Sequence, residues 1–248
     1  MSKDIFSGHA DIYVKYRPLY PKELYDFLLP YVNARDMALD CGTGNGQAAG
    51  VLAAYFTEVH ATDISGKQIE KAVQKPNLHY HICNAEKTPF DDDRFDLITC
   101  ATAAHWFRFD EFFKEMTRIG RNNAVFACWA YNLVRTDQAE LNEMIDQFYY
   151  EKIYHYWDKE RRHVEEEYKN IPFPFDEIKN PGFTTKLVWD LDTLEGYLNT
   201  WSAVQHFIQK NDVNPVNEFM EEVRAKFNPQ VQLQMNFPVF MRIGIIKK

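Results

Sequence analysis

The chain has 248 residues, of which 28 are basic and 36 acidic, so its formal net charge is −8 at pH 7. This length predicts one large domain, or one domain with a sizeable insertion, and it allows a full core to be buried without disulfide bonds. The acidic balance argues against a protein that binds the phosphate backbone of nucleic acid, because that binding needs a basic face.

Cysteine usage and hydropathy bear on the compartment. The cysteines are widely spaced and form no C-x-x-C pair, which is typical of reduced thiols: Cys41, Cys83, Cys100 and Cys128. The N-terminus is polar and lacks the apolar core of a signal peptide, and no run approaches the roughly 18–20 apolar residues of a membrane span. We therefore expect a cytoplasmic protein without a membrane partner.

The first regular pattern follows Pro21, a residue suited to a first helical turn, where residues 22–32 carry apolar side chains at helical spacing. Short apolar strands and helices then alternate. The predicted strands cover residues 37–41, 58–63, 78–84, 95–101 and 123–130. The helices between them cover residues 46–56, 65–75 and 109–119. This alternation predicts an α/β fold, a parallel sheet with helices on both faces.

Beyond Trp129 the alternation ends. Residues 137–170 are charged and helical in period, and after them we predict a strand, two helices and a terminal strand over 185–191, 193–208, 215–227 and 238–248. We therefore expect one sheet domain with a helical cap inserted between its fifth strand and its final two strands. The expected units are an N-terminal helical lid (1–36), the core (37–134), the cap insertions (135–182 and 193–230) and the final strands (183–192 and 231–248).

The sharpest motif is ALDCGTGNGQAAG, in which Gly42, Gly44 and Gly46 follow a strand and open a helix. Alternate glycines allow a tight turn and bring backbone N–H groups close to a ligand. A dinucleotide fingerprint, G-x-G-x-x-G, would need its third glycine where Gln47 stands, so the spacing counts against NAD. Asp40, at the strand end before the loop, is suited to accept a hydrogen bond from a ligand ammonium group, which dinucleotides lack.

Asp63 ends the second predicted strand, 21 residues beyond Gly42. A carboxylate at this place can accept hydrogen bonds from both ribose hydroxyls of a bound nucleoside. The alternative is that Asp63 only caps the helix that starts near Ser65. We favour the nucleoside role, because the glycine loop points to the same crevice.

These residues resemble the class I S-adenosylmethionine-dependent methyltransferases, and NAEKTPFDDDRFDLI resembles the third and fourth motifs of that superfamily. The resemblance implies a Rossmann-like, doubly wound, mostly parallel seven-stranded sheet with an antiparallel last strand. It also implies S-adenosylmethionine as cofactor, with S-adenosylhomocysteine as product. It places Asn84, Ala85 and Glu86 near the adenine, and Ala101 and Thr102 beside the methionine moiety. The full set of expected cofactor-binding residues is Tyr13, Arg17, Asp40, Gly42, Thr43, Gly44, Gly46, Asp63, Ile64, Gln68, Asn84, Ala85, Glu86, Ala101 and Thr102.

Three further segments resemble the small-molecule methyltransferases related to trans-aconitate methyltransferase: YVKYRPLYP, AAHWFRFDEFF and the closing FPVFMRIGI. The similarity spans nearly the whole chain. In those enzymes the N-terminal segment folds over the cofactor, which makes Tyr13, Tyr16 and Arg17 candidates for a lid. The resemblance suggests a carboxylate as methyl acceptor, held by arginines such as Arg17 or Arg242.

One segment departs from the family pattern. Where L-K-P-G-G is usual before the fifth strand, this chain reads TRIGRNNA. Asn122 and Asn123 can form the turn, because Asn tolerates the left-handed conformation, so we expect the fold to survive. The departure is also compatible with a protein that binds the cofactor without transferring methyl groups.

Methyl transfer from a sulfonium needs an acceptor held about 3–3.5 Å from the methyl carbon, and exclusion of water, more than it needs an acid–base pair. His105 and Trp106, just beyond the fourth strand, are the catalytic candidates. His105 could take a proton from a hydroxyl or amine acceptor, or it could only form a local hydrogen bond. We expect the wall of the substrate pocket to include Trp106 together with Tyr16, Trp129, Tyr131 and Trp201.

Other functions have weaker support. His79, His81 and Cys83 alternate on one face of a predicted strand, but three candidate ligands in one run, with no second cluster, do not predict a metal site. An NAD-dependent oxidoreductase remains the second enzymatic alternative. We expect a small-molecule substrate, no nucleic-acid partner, and a monomer or homodimer.

Overall fold

The computed structural model describes residues 16–248, and a nine-stranded sheet forms its centre. In chain order the strands are β1 (Met37–Cys41), β2 (Glu58–Asp63), β3 (Leu78–Ile82), β4 (Phe95–Ala101), β5 (Gly120–Tyr131), β6 (Arg135–Thr136), β7 (Asp176–Ile178), β8 (Phe183–Trp189) and β9 (Leu233–Ile245). Their order across the sheet is β3-β2-β1-β4-β5-β9-β6, and β7 and β8 also pair with β9.

The first five strands pair in parallel, and the long β9 runs antiparallel to β5 and β8. β1 and β4 are almost continuously buried, as expected of strands covered by helices on both faces. The predicted α/β sheet with an antiparallel last strand is confirmed. The strand count of seven is corrected to nine, because β6 and β7 are too short to show a period-two pattern in sequence.

The helices are α1 (Lys22–Leu28), α2 (Gln47–Leu52), α3 (Gly66–Glu70), α4 (Phe109–Ile119), α5 (Ala139–Gln147), α6 (Arg161–Glu165), α7 (Leu191–Leu198), α8 (Ser202–Asn211) and α9 (Pro215–Lys226). α4 has the predicted bounds. It buries an apolar face against the sheet, with Phe112, Met116 and Ile119 fully enclosed. Residues 16–248 contain no helix that is both long and apolar enough to cross a bilayer.

Residues 137–170, which are helical in period, form several short helical segments and not one continuous helix. After α5 the chain forms a π-helix (Phe148–Lys152) and a 3-10 turn (Tyr154–Tyr156) before α6. Tyr149 and Trp157 turn inward onto Trp201, with ring centroids 5.8 and 5.7 Å away. The axis has to break for both rings to reach the same partner, and a charged, helix-like sequence pattern does not reveal this.

Two turns explain further boundaries. The helix predicted over 193–208 is divided into α7 and α8 at Thr200, whose hydroxyl donates to the carbonyl of Tyr197 at 2.6 Å. Such a side-chain bond to the backbone competes with helix continuation. Within β5, where the pairing with β4 changes register between Gly120 and Val125, Asn123 has a φ of 67°. It therefore adopts the left-handed conformation that we expected of TRIGRNNA.

A histidine cluster lies on the face of β2 and β3. His60 Nδ1 is 2.8 Å from His81 Nε2, and His60 Nε2 is 2.8 Å from a Glu58 oxygen and 3.3 Å from an Arg94 nitrogen. His79 Nε2 is 3.8 Å from the same Glu58 oxygen. In the part of the chain that the structure describes, no group of three or more His, Cys, Asp or Glu side chains is arranged to hold a metal ion.

This cluster makes stability depend on pH. Burial, together with the nearby charge of Arg94, lowers the pKa of His60 from 6.5 to about 4. The unfolded chain therefore binds a proton more readily than the folded chain, so the free energy of unfolding should fall as the pH drops from about 6.5 towards 4. We expect His60→Gln to reduce this slope in urea titrations at several pH values. His155→Gln, at an exposed histidine, is the matched control, and an unchanged slope in His60→Gln would contradict the prediction.

Candidate active site

The loop between β1 and α2 presents backbone to a cavity. Gly42, Gly44 and Gly46 have φ values of 63°, 55° and 79°, in the left-handed region that favours glycine. A Cβ on Gly42 would lie 2.6 Å from the Cβ of Ala103, and one on Gly46 would collide with the Tyr80 hydroxyl. The positive φ favours glycine at both positions, and at Gly42 the fixed Cβ of Ala103 adds a steric reason.

Asp40 is fully buried in β1, between β2 and β4. Its Oδ2 accepts a hydrogen bond from Thr43 Oγ1 at 2.6 Å, and its Oδ1 accepts one from Thr99 Oγ1 at 2.7 Å. Burial raises the pKa of this carboxyl to about 6, against the opposing effect of these hydrogen bonds. We expected Asp40 to contact the ligand, but it lies outside the cavity lining because it is enclosed within the sheet. Its partner Thr43 lines the cavity instead.

The glycine loop borders a cleft of about 1070 Å³, measured to its open mouth, which we call the glycine-loop cleft. It lies at the carboxyl ends of the parallel strands, where ligands of open α/β sheets bind. The expected cofactor residues that line it are Gly42, Thr43, Gly44, Asp63, Ile64, Gln68, Ala85, Glu86, Ala101 and Thr102. Gly46 and Asn84 lie outside the lining, and Tyr13 lies outside the described residues.

Asp63 lines the cleft and is hydrogen-bonded to the glycine loop. Its Oδ2 accepts the backbone N–H of Gly44 at 2.8 Å, and its Oδ1 accepts that of Ser65, also at 2.8 Å. The helix α3 is capped by Ser65, whose hydroxyl accepts the N–H of Gln68 at 3.4 Å. The capping function that we considered for Asp63 therefore belongs to Ser65, and Asp63 lines the cleft.

Thr102 lies at the end of β4 in a strained conformation. Its φ is 54°, which is unfavourable for a β-branched residue, and such outliers concentrate at functional sites. Its N–H donates to the carbonyl of Trp129 at 2.7 Å, and its hydroxyl is 2.7 Å from that of Tyr20. These bonds hold the threonine hydroxyl at the edge of the cleft.

A second cavity, of about 470 Å³ including its opening, adjoins the cleft, and we call it the cap chamber. Its lining is Arg17, Thr102, His105, Trp106, Trp157, Asp158, Arg161 and Ser202. Thr102 and Trp106 line both cavities. The two cavities are therefore neighbours that meet at the end of β4.

His105 is buried and its Nδ1 is 2.9 Å from the hydroxyl of Tyr168. Burial lowers the pKa of His105 to about 3, and the charges of Arg161 and His163 act in the same direction. The Tyr168 phenol is fully buried, and the ring nitrogen is its hydrogen-bond partner. An unpaired buried hydroxyl proton would cost about 1–3 kcal/mol, so the phenol donates to Nδ1. We therefore assign His105 as a neutral imidazole with its proton on Nε2.

We expected Arg17 to bind the cofactor, but it does not line the glycine-loop cleft. It lines the cap chamber instead. Its Nη1 donates to Tyr131 Oη at 2.5 Å and its Nη2 to the carbonyl of Thr200 at 3.1 Å. The neighbouring Tyr16 packs so closely on Gly196 that a Cβ there would lie 2.5 Å from its ring. Residues 16–17 are therefore attached to the cap by both a polar and a packing contact.

Several expected pocket residues lie elsewhere. Trp129 is fully enclosed under Tyr20, and Trp201 is buried in the aromatic core of the cap, so neither lines the two cavities. Tyr131 also lies outside both linings, because its hydroxyl is occupied by Arg17. Their placement at strand and helix ends was inferred from topology, which does not give side-chain direction.

Arg242 is also occupied. Its guanidinium forms a two-pronged ion pair with Glu177, at 2.8 and 2.7 Å, and donates to the carbonyls of Tyr168 and Ile171. It therefore braces the chain behind His105 and is outside both cavity linings. Sequence reasoning did not name the lining residues of the 157–161 segment, because the helical period of residues 137–170 does not show which side chains face a cavity.

Known proteins with similar sequences and structures identify the family. The family model described as a methyltransferase domain matches residues 39–128. A protein of Dictyostelium discoideum named as a methyltransferase is 31% identical over 245 residues, which are 96% of this chain and 93% of that protein. The chain belongs to the class I S-adenosylmethionine-dependent methyltransferases. The oxidoreductase alternative is therefore set aside.

Comparison with solved structures supports the same family and fold. A protein of Anaeromyxobacter dehalogenans named as a type II methyltransferase has a TM-score of 0.85 and 38% identity, covering 93% of this chain and 98% of its own. The YcgJ protein of Bacillus subtilis, with a TM-score of 0.52 and 16% identity, covers 92% of this chain and all of its own (100%), and it shows the fold alone.

The cofactor of this family of methyltransferases is S-adenosylmethionine, and the glycine-loop cleft suits it. Ile64, Ala85 and Phe107 are among the apolar residues that line the cleft. Asp63 also lines the cleft, where a carboxylate is suited to accept hydrogen bonds from the two hydroxyls of a ribose. The carboxylate, the bare loop and the apolar surface match the chemical groups of the nucleoside.

The Asp63 assignment can be tested by calorimetry with S-adenosylhomocysteine. We expect Asp63→Asn to weaken binding by roughly 10- to 100-fold, because hydrogen bonds to a charged group contribute about 1.5–3 kcal/mol. Asp91→Asn, which removes an exposed carboxylate on a turn, is the matched control and should leave the affinity unchanged. Equal affinities for the two variants would show that Asp63 does not contact the nucleoside.

The state of His105 can be read by ¹⁵N NMR of its side chain. We expect the neutral Nε2–H tautomer throughout pH 5 to 8, because the pKa of about 3 lies below this range. Tyr168→Phe should shift the Nδ1 resonance, since that nitrogen loses its donor. Tyr154→Phe, at an exposed tyrosine, should not. A proton on Nδ1 in the unmodified protein would contradict the assignment.

Proposed function

We propose that this methyltransferase acts on a small molecule held in the cap chamber, and that the acceptor atom is a carboxylate oxygen. The observation that carries the proposal is the shared lining of the two cavities. Thr102 and Trp106 border both the cleft and the chamber. An acceptor in the chamber would therefore lie next to the methionine end of a cofactor in the cleft.

The state of His105 favours a carboxylate. S-adenosylmethionine supplies a methyl group by in-line displacement, in which the S–C bond breaks as the O–C bond forms. A carboxylate has no proton to lose at neutral pH, and the transfer converts it and the sulfonium into a neutral ester and a neutral thioether. Amine and hydroxyl acceptors would need a base, and the low pKa of His105 makes it a poor one.

The proposal extends to the setting of the enzyme. The cysteines are free thiols, with Cys83 partly exposed, which suits the reducing cytoplasm. We propose a cytoplasmic enzyme that acts as a monomer or homodimer without nucleic acid.

The proposal is tested with methyl-labelled S-adenosylmethionine and a panel of carboxylic acids, their amides, phenols and amines. We expect at least one carboxylic acid to be methylated while its amide is not, with kcat/KM constant from pH 7 to 9 because no base is titrated. Asp63→Asn should lower the rate at limiting cofactor at least tenfold, and Asp91→Asn should not.

Two other results would contradict different parts of the proposal. Turnover of phenols or amines alone would rule out the carboxylate acceptor. Binding of S-adenosylhomocysteine with no product from any acceptor would instead support a cofactor-binding protein that does not transfer methyl groups.

A further inference from the structure

Arg161 is the first residue of α6, in the cap, and it is held in place from one side only. Its guanidinium carbon lies 4.8 Å from the ring centroid of Trp157 and 5.9 Å from that of Tyr149. Its Nε donates to the hydroxyl of Tyr149 at 3.2 Å. The same hydroxyl donates to Glu165 Oε1 at 2.6 Å, so a carboxylate is linked to Arg161 through the phenol without contacting the guanidinium. Stacking and one hydrogen bond therefore orient the charged group.

The outer nitrogens of Arg161 are available. No carboxylate of residues 16–248 lies within ion-pair distance of this guanidinium, whereas its neighbour Arg162 is exposed on the surface. Arg161 is half-buried and lines the cap chamber. A guanidinium that is oriented, partly desolvated and open to a cavity is well suited to bind a planar oxyanion through two parallel hydrogen bonds.

The other polar groups of the cap chamber are mostly donors. The indole Nε1 of Trp157 is buried and has no hydrogen-bond partner among the described residues. His105 also lines the chamber, and because Tyr168 engages its Nδ1, its Nε2–H is the ring donor left for a ligand. A buried donor without an acceptor is costly, so a ligand that brings oxygen acceptors would relieve this cost.

One carboxylate also lines the cap chamber. Asp158 Oδ2 is 3.9 Å from His206 Nδ1 and has no hydrogen bond in the described part of the chain. The two guanidinium groups of Arg17 and Arg161 outweigh this single negative charge. The chamber is therefore locally positive in a chain whose formal net charge is −8.

We propose that Arg161 is the residue that selects the acceptor by binding an oxyanion group, with Trp157 Nε1–H and His105 Nε2–H as neutral donors beside it. The inference rests on the proposed function, because it assigns the cap chamber to the acceptor. It adds a specificity-determining residue in the cap, and it requires the acceptor, whichever atom is methylated, to be an oxyanion.

The test is calorimetry on full-length protein saturated with S-adenosylhomocysteine. The probes are benzoate, glutarate and citrate, the corresponding amides, and inorganic phosphate and sulfate. We expect at least one carboxylate to bind saturably and at least tenfold more tightly than its amide. Tight binding of phosphate or sulfate instead would place the oxyanion on a phosphate or sulfate ester and would still support the role of Arg161.

Substitutions distinguish the contribution of Arg161 to oxyanion binding from that of neighbouring residues. Arg161→Gln should weaken oxyanion binding at least tenfold, Arg161→Lys should weaken it less, and Arg162→Gln, with the same charge change on the surface, should leave it unchanged. Trp157→Phe, which keeps the ring and removes the donor, should weaken it several-fold. Affinity for S-adenosylhomocysteine should stay within twofold in all variants, which also shows that they are folded.

Three results would overturn the inference. These are equal binding of carboxylates and amides, equal effects of Arg161→Gln and Arg162→Gln, and no binding of any oxyanion at 10 mM. Turnover of a neutral acceptor that is insensitive to Arg161→Gln would also overturn it while leaving methyl transfer intact. Conversely, Arg161-dependent oxyanion binding without methyl transfer to any acceptor would refute the proposed function and leave the oxyanion site standing.

Discussion

The rest of the site depends on the buried carboxylate of Asp40. It joins Thr43 of the glycine loop and Thr99 of β4 through hydrogen bonds of 2.6 and 2.7 Å. A buried carboxylate is tolerated only when its oxygens are satisfied, and removing a partner of a buried charge costs several kcal/mol. The shape of the loop is therefore coupled to the stability of the sheet, and a ligand meets a loop that is already formed.

Different parts of the chain form the cofactor cleft and the cap chamber. The parallel strands supply the glycine-loop cleft, whereas the segments inserted after β5 supply Trp157, Arg161 and Ser202 of the cap chamber. Thr102 is where the two meet, and its strained backbone is held by Tyr20 and by the carbonyl of Trp129. A substitution in the cap can therefore change the acceptor without moving the cofactor cleft, which is how one fold serves several substrates.

The sequence predicted the position of a residue correctly where a local pattern is compatible with only one structure. Gly42 and Asp63 were placed correctly in the cleft, because strand ends of a parallel sheet share one edge. It failed for Trp129 and Tyr131, which lie at the end of β5 as expected. Their rings are covered by Tyr20 and Arg17, and no pattern within β5 shows that a distant segment packs there.

The sequence by itself determined the alternation of strands and helices, the glycine loop and the carboxylate of Asp63, because these depend on residues close together in the chain. Only the tertiary structure decided that His105 is a neutral donor and that Arg161 is open to a cavity. The first depends on Tyr168, 63 positions away, and the second on a helix that breaks so that Tyr149 and Trp157 can pack inward. Protonation and accessibility are properties of the packed environment, and that environment is assembled from segments far apart in sequence.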